Sequence, residues 1–290
     1  MLFRKIRKNN EDFMKRIQRL PRLWLMPLLF ALAFSHLSAF ATDDAPSTSA
    51  TSAALYDANS GIFLYEKNAD ERRGMASTTK IATAIVAIES GRLDETVTVR
   101  ENMIGAEGSS LYLKAGEELS VKELLYGLML RSANDAAEAL AIHLSGSVDA
   151  FVLKMNELAD RLGLHNTHFE NPHGLDGKTH YTTAKELALL SAYAETNEIF
   201  REVVSTKSTR IGSGESRRLL QNHNKMLSQY DGACGIKTGF TKKCGRTLVS
   251  SYYNGGVHLI CVTLNAPDDW RDHQRLLDYG KELLGVTKEE

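Results

Sequence analysis

Residues 235–266 read GIKTGFTKKCGRTLVSSYYNGGVHLICVTLNA. Two runs rich in β-branched and aromatic residues flank Asn254-Gly255-Gly256, whose glycines supply the positive φ that a tight hairpin demands. GIKTGFT is a further strand, returning near Thr241–Lys243. Strands joined by such short turns pair antiparallel. The other end of the chain supplies more: ALYDANSGIFLYEKN, 54–68, reads as two strands around Asn59-Ser60-Gly61.

What lies between is helical. STTKIATAIVAIESG (77–91) has apolar residues at helical spacing and a glycine stop at Gly91. VKELLYGLMLR, DAAEALAIHL, SVDAFVLKMNELADRLG and TTAKELALLSAYAE repeat the 3.6-residue period, several opened by Ser, Thr or Asp. DDWRDHQRLLDYGKELL closes the chain as an amphipathic helix opened by Asp268 or Asp269. The expected fold is α/β of the α+β kind: one antiparallel sheet assembled from both ends, flanked by helices, with a helical lobe inserted between. A cleft would form where sheet and lobe meet.

The composition, 43% hydrophobic and 24% charged over 290 residues, suits a folded domain rather than a disordered or disulfide-stapled chain. Charge is unevenly placed. Residues 1–22 carry eight basic side chains against Glu11 and Asp12, whereas the whole chain has a net charge of −1. A basic head on an acidic body argues against nucleic-acid binding. Leu23–Ala41 contains no charged residue and ends in Ala39-Phe40-Ala41, a small-x-small cleavage pattern. Residues 1–41 are therefore read as a signal peptide, with an uncleaved anchor as the alternative, and either reading exports the body. Residues 42–53 read as a linker and 54–290 as a single domain.

Three cysteines remain, and none has zinc-ligand spacing. Cys261, inside His258–Val262, is expected as a buried small hydrophobe. Cys234 and Cys244 bracket the Lys-Thr-Gly strand, where a disulfide would stiffen the wall of a cleft. A regular hairpin turning near Thr241–Lys243 weighs against the bond, because Cys234 then faces a residue well beyond Cys244. The nine histidines place no His-x-x-x-His pair on one helix face, so no metal is expected, and no cofactor.

Three short motifs carry chemistry together. In Ser77-Thr78-Thr79-Lys80 a helix start puts hydroxyl and amine on one face, where a lysine of lowered pKa can deprotonate the serine. Ser132-Ala133-Asn134 joins two helices, and its hydroxyl and amide can relay a proton and hold a carbonyl. Lys237-Thr238-Gly239 lies on a strand whose edge can pair with an extended peptide; the cation meets an anionic terminus and the glycine permits close approach. Each alone has an ordinary reading as a helix cap, a loop or a solvated strand lysine.

In this order, the three motifs resemble those of serine penicillin-interacting enzymes. MASTTKIATA, GSSLYLKAGEELSVKELLYGLMLRSANDAAEALA, NPHGLDGKTHYTTAKELALL, NHNKML and GIKTGFTKKCGRTLVSS extend the likeness to the low-molecular-mass D-alanyl-D-alanine carboxypeptidases, over most of residues 54–284. The resemblance implies a β-lactamase/transpeptidase-like fold. It implies Ser77 as acyl-forming nucleophile, Lys80 as its base, and Ser132 and Asn134 assisting proton transfer and substrate placement. Lys237 and Thr238 would hold the terminal carboxylate beside Gly239, with backbone N–H groups of Ser77 and Phe240 as the oxyanion hole. The implied partners are peptidoglycan stem peptides ending in D-Ala-D-Ala, with β-lactams as covalent inhibitors and a membrane only through the N-terminal segment.

Departures accompany the likeness. Many relatives continue into a small β domain and an amphipathic anchor, and this chain ends at Glu290 soon after the closing helix. Phe240 stands where some relatives have histidine. Arg246 and Arg271 are candidate carboxylate ligands, although a surface ion pair is the simpler expectation for each. A β-lactamase is the nearest rival, but Asn171-Pro172-His173-Gly174-Leu175 occupies the place of its glutamate loop. A non-catalytic wall-binding ectodomain of the same fold is the other.

Overall fold

The run HLICVTL is apolar at nearly every position because the sheet it belongs to is covered on both faces. In the computed structural model, which describes residues 45–286, Ile260 and Val262 face one core while Leu259 and Cys261 face another. The period of two along a strand produces this sorting. It repeats on the neighbour, where Val249 faces the first core and Leu248 the second.

The strands are β1 (Ser52–Asp57), β2 (Ile62–Lys67), β3 (Thr96–Thr98), β4 (Glu118–Ser120), β5 (Ser208–Ile211), β6 (Arg218–Gln221), β7 (Ala233–Thr241), β8 (Gly245–Asn254) and β9 (Val257–Leu264). The main sheet runs β2-β1-β9-β8-β7 and every pairing in it is antiparallel. Both ends of the chain thus build one sheet, as expected. Strand β7 is one edge of it and β2 the other. β3–β4 and β5–β6 are separate two-stranded ribbons.

The helices are α1 (Lys80–Glu89), α2 (Val121–Leu130), α3 (Asn134–Ser145), α4 (Val148–Arg161), α5 (Ala184–Ala194), α6 (Glu198–Ser205), α7 (Met226–Gln229) and α8 (Asp269–Leu283). Helix α1 is buried on almost all sides, packed against α2, α3, α4 and α5, so it is the axis of the inserted lobe. Side-chain caps fix several starts: Ser120 accepts from Glu123 N in a reciprocal box, Ser147 from Ala150 N, and Thr183 from Glu186 N. Helix α8 covers the other face of the sheet through Leu276 and Leu277.

Three expectations change. Ser52 and Ala53, read as the end of the linker, begin β1, and Ala50 is buried. Ser49 N and Oγ bond the Asp272 carboxylate on α8, so the chain joins the fold before residue 54. The helix read from Asp135 in DAAEALAIHL begins one residue earlier, at Asn134, and its cap position, Ala133, offers no side-chain bond. The Cys234–Cys244 disulfide is not formed. Ala233 pairs with Tyr252 while Gly245 pairs with Thr241, so the two cysteines lie at opposite ends of β7. The leader reading for 1–41 falls outside the described residues.

Candidate active site

The SxxK segment begins as one turn of 3-10 helix, Ala76–Thr79, which passes into α1 at Lys80. Two hydroxyls fasten the turn, Thr78 Oγ1 donating to Met75 O at 2.6 Å and Thr79 Oγ1 to Ala76 O at 2.8 Å. Ala76 has φ +47°, a region alanine seldom occupies and one that clusters at functional sites. His180 supports the arrangement. Its Nδ1 accepts from Glu170 N at 3.0 Å, leaving Nε2–H to donate to Thr79 Oγ1 at 2.7 Å. Burial pushes this imidazole down to about 4, which keeps it in that neutral form near neutrality.

Lys80 is fully buried. Its Nζ donates to Asn134 Oδ1 at 2.6 Å, to the His173 carbonyl at 2.5 Å and to Ser77 Oγ at 3.2 Å. Three acceptors match the three protons of an ammonium. Burial nevertheless holds its pKa well below the usual lysine range, the Lys237 cation lowers it further, and Asp135 opposes them. An amine that loses its proton readily and sits within reach of a serine hydroxyl is equipped to act as a base.

Helix α3 brings the second motif. Asn134 donates from Nδ2 to Glu107 O at 2.5 Å while its Oδ1 meets Lys80, so the amide is oriented from both ends. Ser132, two residues earlier in the loop after α2, is nearly buried with φ +59°. Asp135 turns away from the helix and ties down the preceding loop, accepting from Ser110 Oγ at 2.6 Å, Leu111 N at 3.0 Å and Leu113 N at 3.1 Å. Its part went unread in the sequence because an acid at a helix start resembles a cap.

The third motif lies on β7. Gly239 approaches the nucleophile so closely that a Cβ there would stand 2.8 Å from Ser77 N and 2.4 Å from Thr247 Oγ1. The edge strand therefore runs alongside the Ser77 amide, with Phe240 next in line and exposed. Lys237 is buried, its Nζ donating to Thr238 O at 2.9 Å, and burial lowers its pKa to about 7. Arg246 and Arg271 pair instead with Asp269 at 3.0 Å and Asp268 at 3.4 Å, the simpler of the two expectations.

One contributor had only a turn signature. In Asn171–Leu175 the Asn171 Oδ1 accepts from Gly174 N at 2.7 Å, and the loop presents the His173 carbonyl to Lys80. A Cβ on Gly174 would lie 1.9 Å from Ala76 O, so the loop backs directly onto the nucleophile turn. A backbone carbonyl leaves no mark in a sequence. Where a β-lactamase would bring a glutamate toward the site, this segment brings a neutral oxygen.

Residues 39–268 match the family described as D-alanyl-D-alanine carboxypeptidase. The chain belongs to that family. Among curated carboxypeptidases, DacF of Bacillus subtilis (strain 168) is 36% identical over 264 residues, 87% of this chain and 67% of its own. The enzyme of Streptomyces sp. (strain K15) is 36% identical over 82% of this chain and 89% of its own. The crystal structure of the Streptomyces K15 DD-transpeptidase superposes with a TM-score of 0.78 at 34% identity, covering 82% of this chain and 98% of that one. The carboxypeptidase fold, antiparallel sheet and helical lobe, is thus shared with a solved member.

Proposed function

We propose that the chain is a serine D-Ala-D-Ala carboxypeptidase that removes the terminal D-alanine from peptidoglycan stem peptides and is acylated by β-lactams. The observation that carries this reading is the buried Lys80 amine, 3.2 Å from Ser77 Oγ and fixed by Asn134 and His173. The substrate lies along the edge of β7, its carboxylate at Lys237 and Thr238, its scissile carbonyl carbon at Ser77 Oγ. Neutral Lys80 takes the serine proton as the C–O bond forms, and the oxyanion meets the Ser77 and Phe240 amides. The proton then passes to the departing amine of D-alanine, directly or through Ser132, as the C–N bond breaks. Water attacks the resulting ester as Lys80 accepts its proton, and Lys80 returns that proton to Ser77 Oγ as the ester C–O bond breaks. Asn134 positions the substrate amide beside the amine it also orients.

The Streptomyces K15 structure bears the name DD-transpeptidase, which raises a second fate for the ester, capture by an amine instead of water. The basic leader and apolar segment support export, to the cell wall or outer surface of a bacterium, with cleavage after Ala41 or retention as an anchor.

D-alanine release from a peptide ending in D-Ala-D-Ala tests the reading, with Ser77→Ala as control and glycine as added acceptor. Release that disappears in Ser77→Ala is expected. Rapid, repeated β-lactam hydrolysis without D-alanine release would make the protein a β-lactamase. Folded protein that releases nothing and takes no covalent penicillin would be a binding module.

A further inference from the structure

The Ala76–Ser77 peptide is enclosed at both of its edges. In a trans peptide the carbonyl oxygen and the following N–H lie on opposite sides of one rigid plane, so whatever fixes Ala76 O also aims Ser77 N–H. On the N–H side lies β7, where a Cβ on Gly239 would come within 2.8 Å of Ser77 N. On the oxygen side lie Thr79, His180 and the backbone of Gly174. A Cβ on Gly174 would stand 1.9 Å from Ala76 O and 2.9 Å from Thr79 Oγ1, so that loop closes over both oxygens. Ala76 itself has φ +47°, so the plane after it is not the one an unconstrained alanine would choose.

A threonine hydroxyl has one proton, whose direction is free unless a neighbour sets it. Here the neighbour is His180. Because Glu170 N–H occupies Nδ1, the ring proton is on Nε2 and points at Thr79 Oγ1, 2.7 Å away. The hydroxyl must accept on that side, which leaves its proton for Ala76 O at 2.8 Å. Thr79 and His180 are both buried, which removes bulk water as a substitute for either.

The ring is itself placed from several directions. Tyr181, next in the chain, bridges His168 through backbone bonds of 2.8 and 3.1 Å. Thr182 bridges Arg73, shortly before the nucleophile turn, at 2.7 and 3.0 Å. Phe169 meets the imidazole in a T-shaped contact with centroids 6.0 Å apart.

We infer that Thr79 and His180 are positioning residues of the oxyanion hole, the imidazole directing the hydroxyl onto Ala76 O and thereby aiming Ser77 N–H at the developing oxyanion. The inference rests on the acyl-transfer step of the proposed function and adds to it two residues that act through the Ser77 amide.

Thr79→Val keeps the shape and removes the hydroxyl, and His180→Leu removes the ring proton. Each should slow acylation by a labelled β-lactam about tenfold per folded molecule, less than the roughly 10²–10³-fold typical of losing an oxyanion donor outright. A peptide boronate, whose tetrahedral adduct on Ser77 puts an oxygen between the two amides, should lose affinity by the same factor. The double variant should be no slower than Thr79→Val, since both changes act through one hydrogen bond. His180→Gln, whose amide nitrogen can replace Nε2, should recover most of the loss. The acid limb of the acylation rate, set by Lys80, should stay where it is.

Variants that lose thermal stability, yet acylate and bind the boronate as the unaltered protein does, would make the pair purely structural and overturn the inference. Thr79→Val, the milder change, decides alone if His180→Leu fails to fold. A shifted acid limb would also overturn it, placing the effect on Lys80 instead of the amide. Absence of D-alanine release from the unaltered protein would strike the carboxypeptidase reading alone, since β-lactam acylation and boronate affinity still decide the positioning role.

Discussion

His273 and Lys80 are both completely buried nitrogen bases, and their settings have opposite characters. Under α8, His273 is sealed between two strands, one ring nitrogen against Ser250 Oγ and the other against Thr263 Oγ1 at 2.9 Å. At the lobe, Lys80 is equally sealed, but one of its contacts is a serine oxygen that is itself only half-buried, on a turn with Ala76 at positive φ. Both bases are pushed down by burial, His273 to about 3 and Lys80 well below the usual lysine range. Depressed basicity therefore does not mark a reactive group. The distinction is the partner, since His273 meets two closed hydroxyls while Lys80 meets an oxygen that faces a cleft.

Lys80→Met breaks the comparison at its strongest point. It keeps volume and removes the base, so penicillin acylation and D-alanine release should fall by about 10⁴-fold, judged from the losses typical of a missing base in a nucleophile pair. Rapid-quench acylation by a labelled β-lactam measures it, and acylation within tenfold of the unaltered rate would assign the base elsewhere.

His273→Leu probes the other side. Two buried hydroxyls lose their partner, so urea unfolding should show a loss of roughly 2–4 kcal/mol, while kcat per folded molecule stays unchanged. The pH sign is definite. The unfolded histidine binds its proton near 6.5 and the folded one only near 3. The stability it confers is thus complete above pH 6.5 and is lost as the pH falls toward 3, by roughly 3–5 kcal/mol. His273→Leu should flatten that stretch of the stability curve. An unchanged acid slope would mean that carboxylates, not this ring, set it.

Gly239→Ala tests how tightly the reactive side is built. The added carbon meets Ser77 N and Thr247 Oγ1, backbone and a short side chain that cannot swing clear, so the edge strand must draw back. A loss of about 10²-fold in acylation is expected, since small displacements of positioned groups cost that much. A substitution elsewhere on the exposed edge, Thr241→Ser, should cost little.

The asymmetry between these regions also separates what the sequence disclosed from what it did not. Period-two strands and a glycine-rich turn made the sheet legible, and the three motifs placed Ser77, Lys80, Ser132, Asn134 and Lys237 on their elements. Helix α6 escaped because its eight residues are short for a periodic signal, although Asn197 caps it through Ile199 N and Phe200 N. The ribbons β3–β4 and β5–β6 escaped because three or four residues carry no pattern. The supports of Lys80 escaped for different reasons. The His173 carbonyl is backbone, and Asp135 and His180 act through contacts 22–25 and 101 residues away in the chain. His273, in a polar-looking helix, gave no hint of full burial.

The smallest effect concerns the second amine of the cleft. Among the described residues Lys237 has no hydrogen-bond partner beyond the Thr238 carbonyl, and burial brings its pKa to about 7. Below that pH it is an ammonium that attracts the substrate carboxylate and depresses Lys80; above it both effects fade. kcat/KM should therefore decline on the alkaline side from about pH 7, close to tenfold per unit, while the acid side follows protonation of Lys80. A bound carboxylate favours the charged form, so kcat should hold to higher pH than kcat/KM. Lys237→Arg keeps a cation that does not titrate in this range and should move the alkaline limb upward, whatever it costs in absolute rate. If the limb stays near 7 in that variant, the titrating group is not Lys237. The cleft would then contain one depressed amine rather than two, and Lys237 would remain an ammonium that lowers Lys80 across the whole range, a neighbour that His273 lacks under α8.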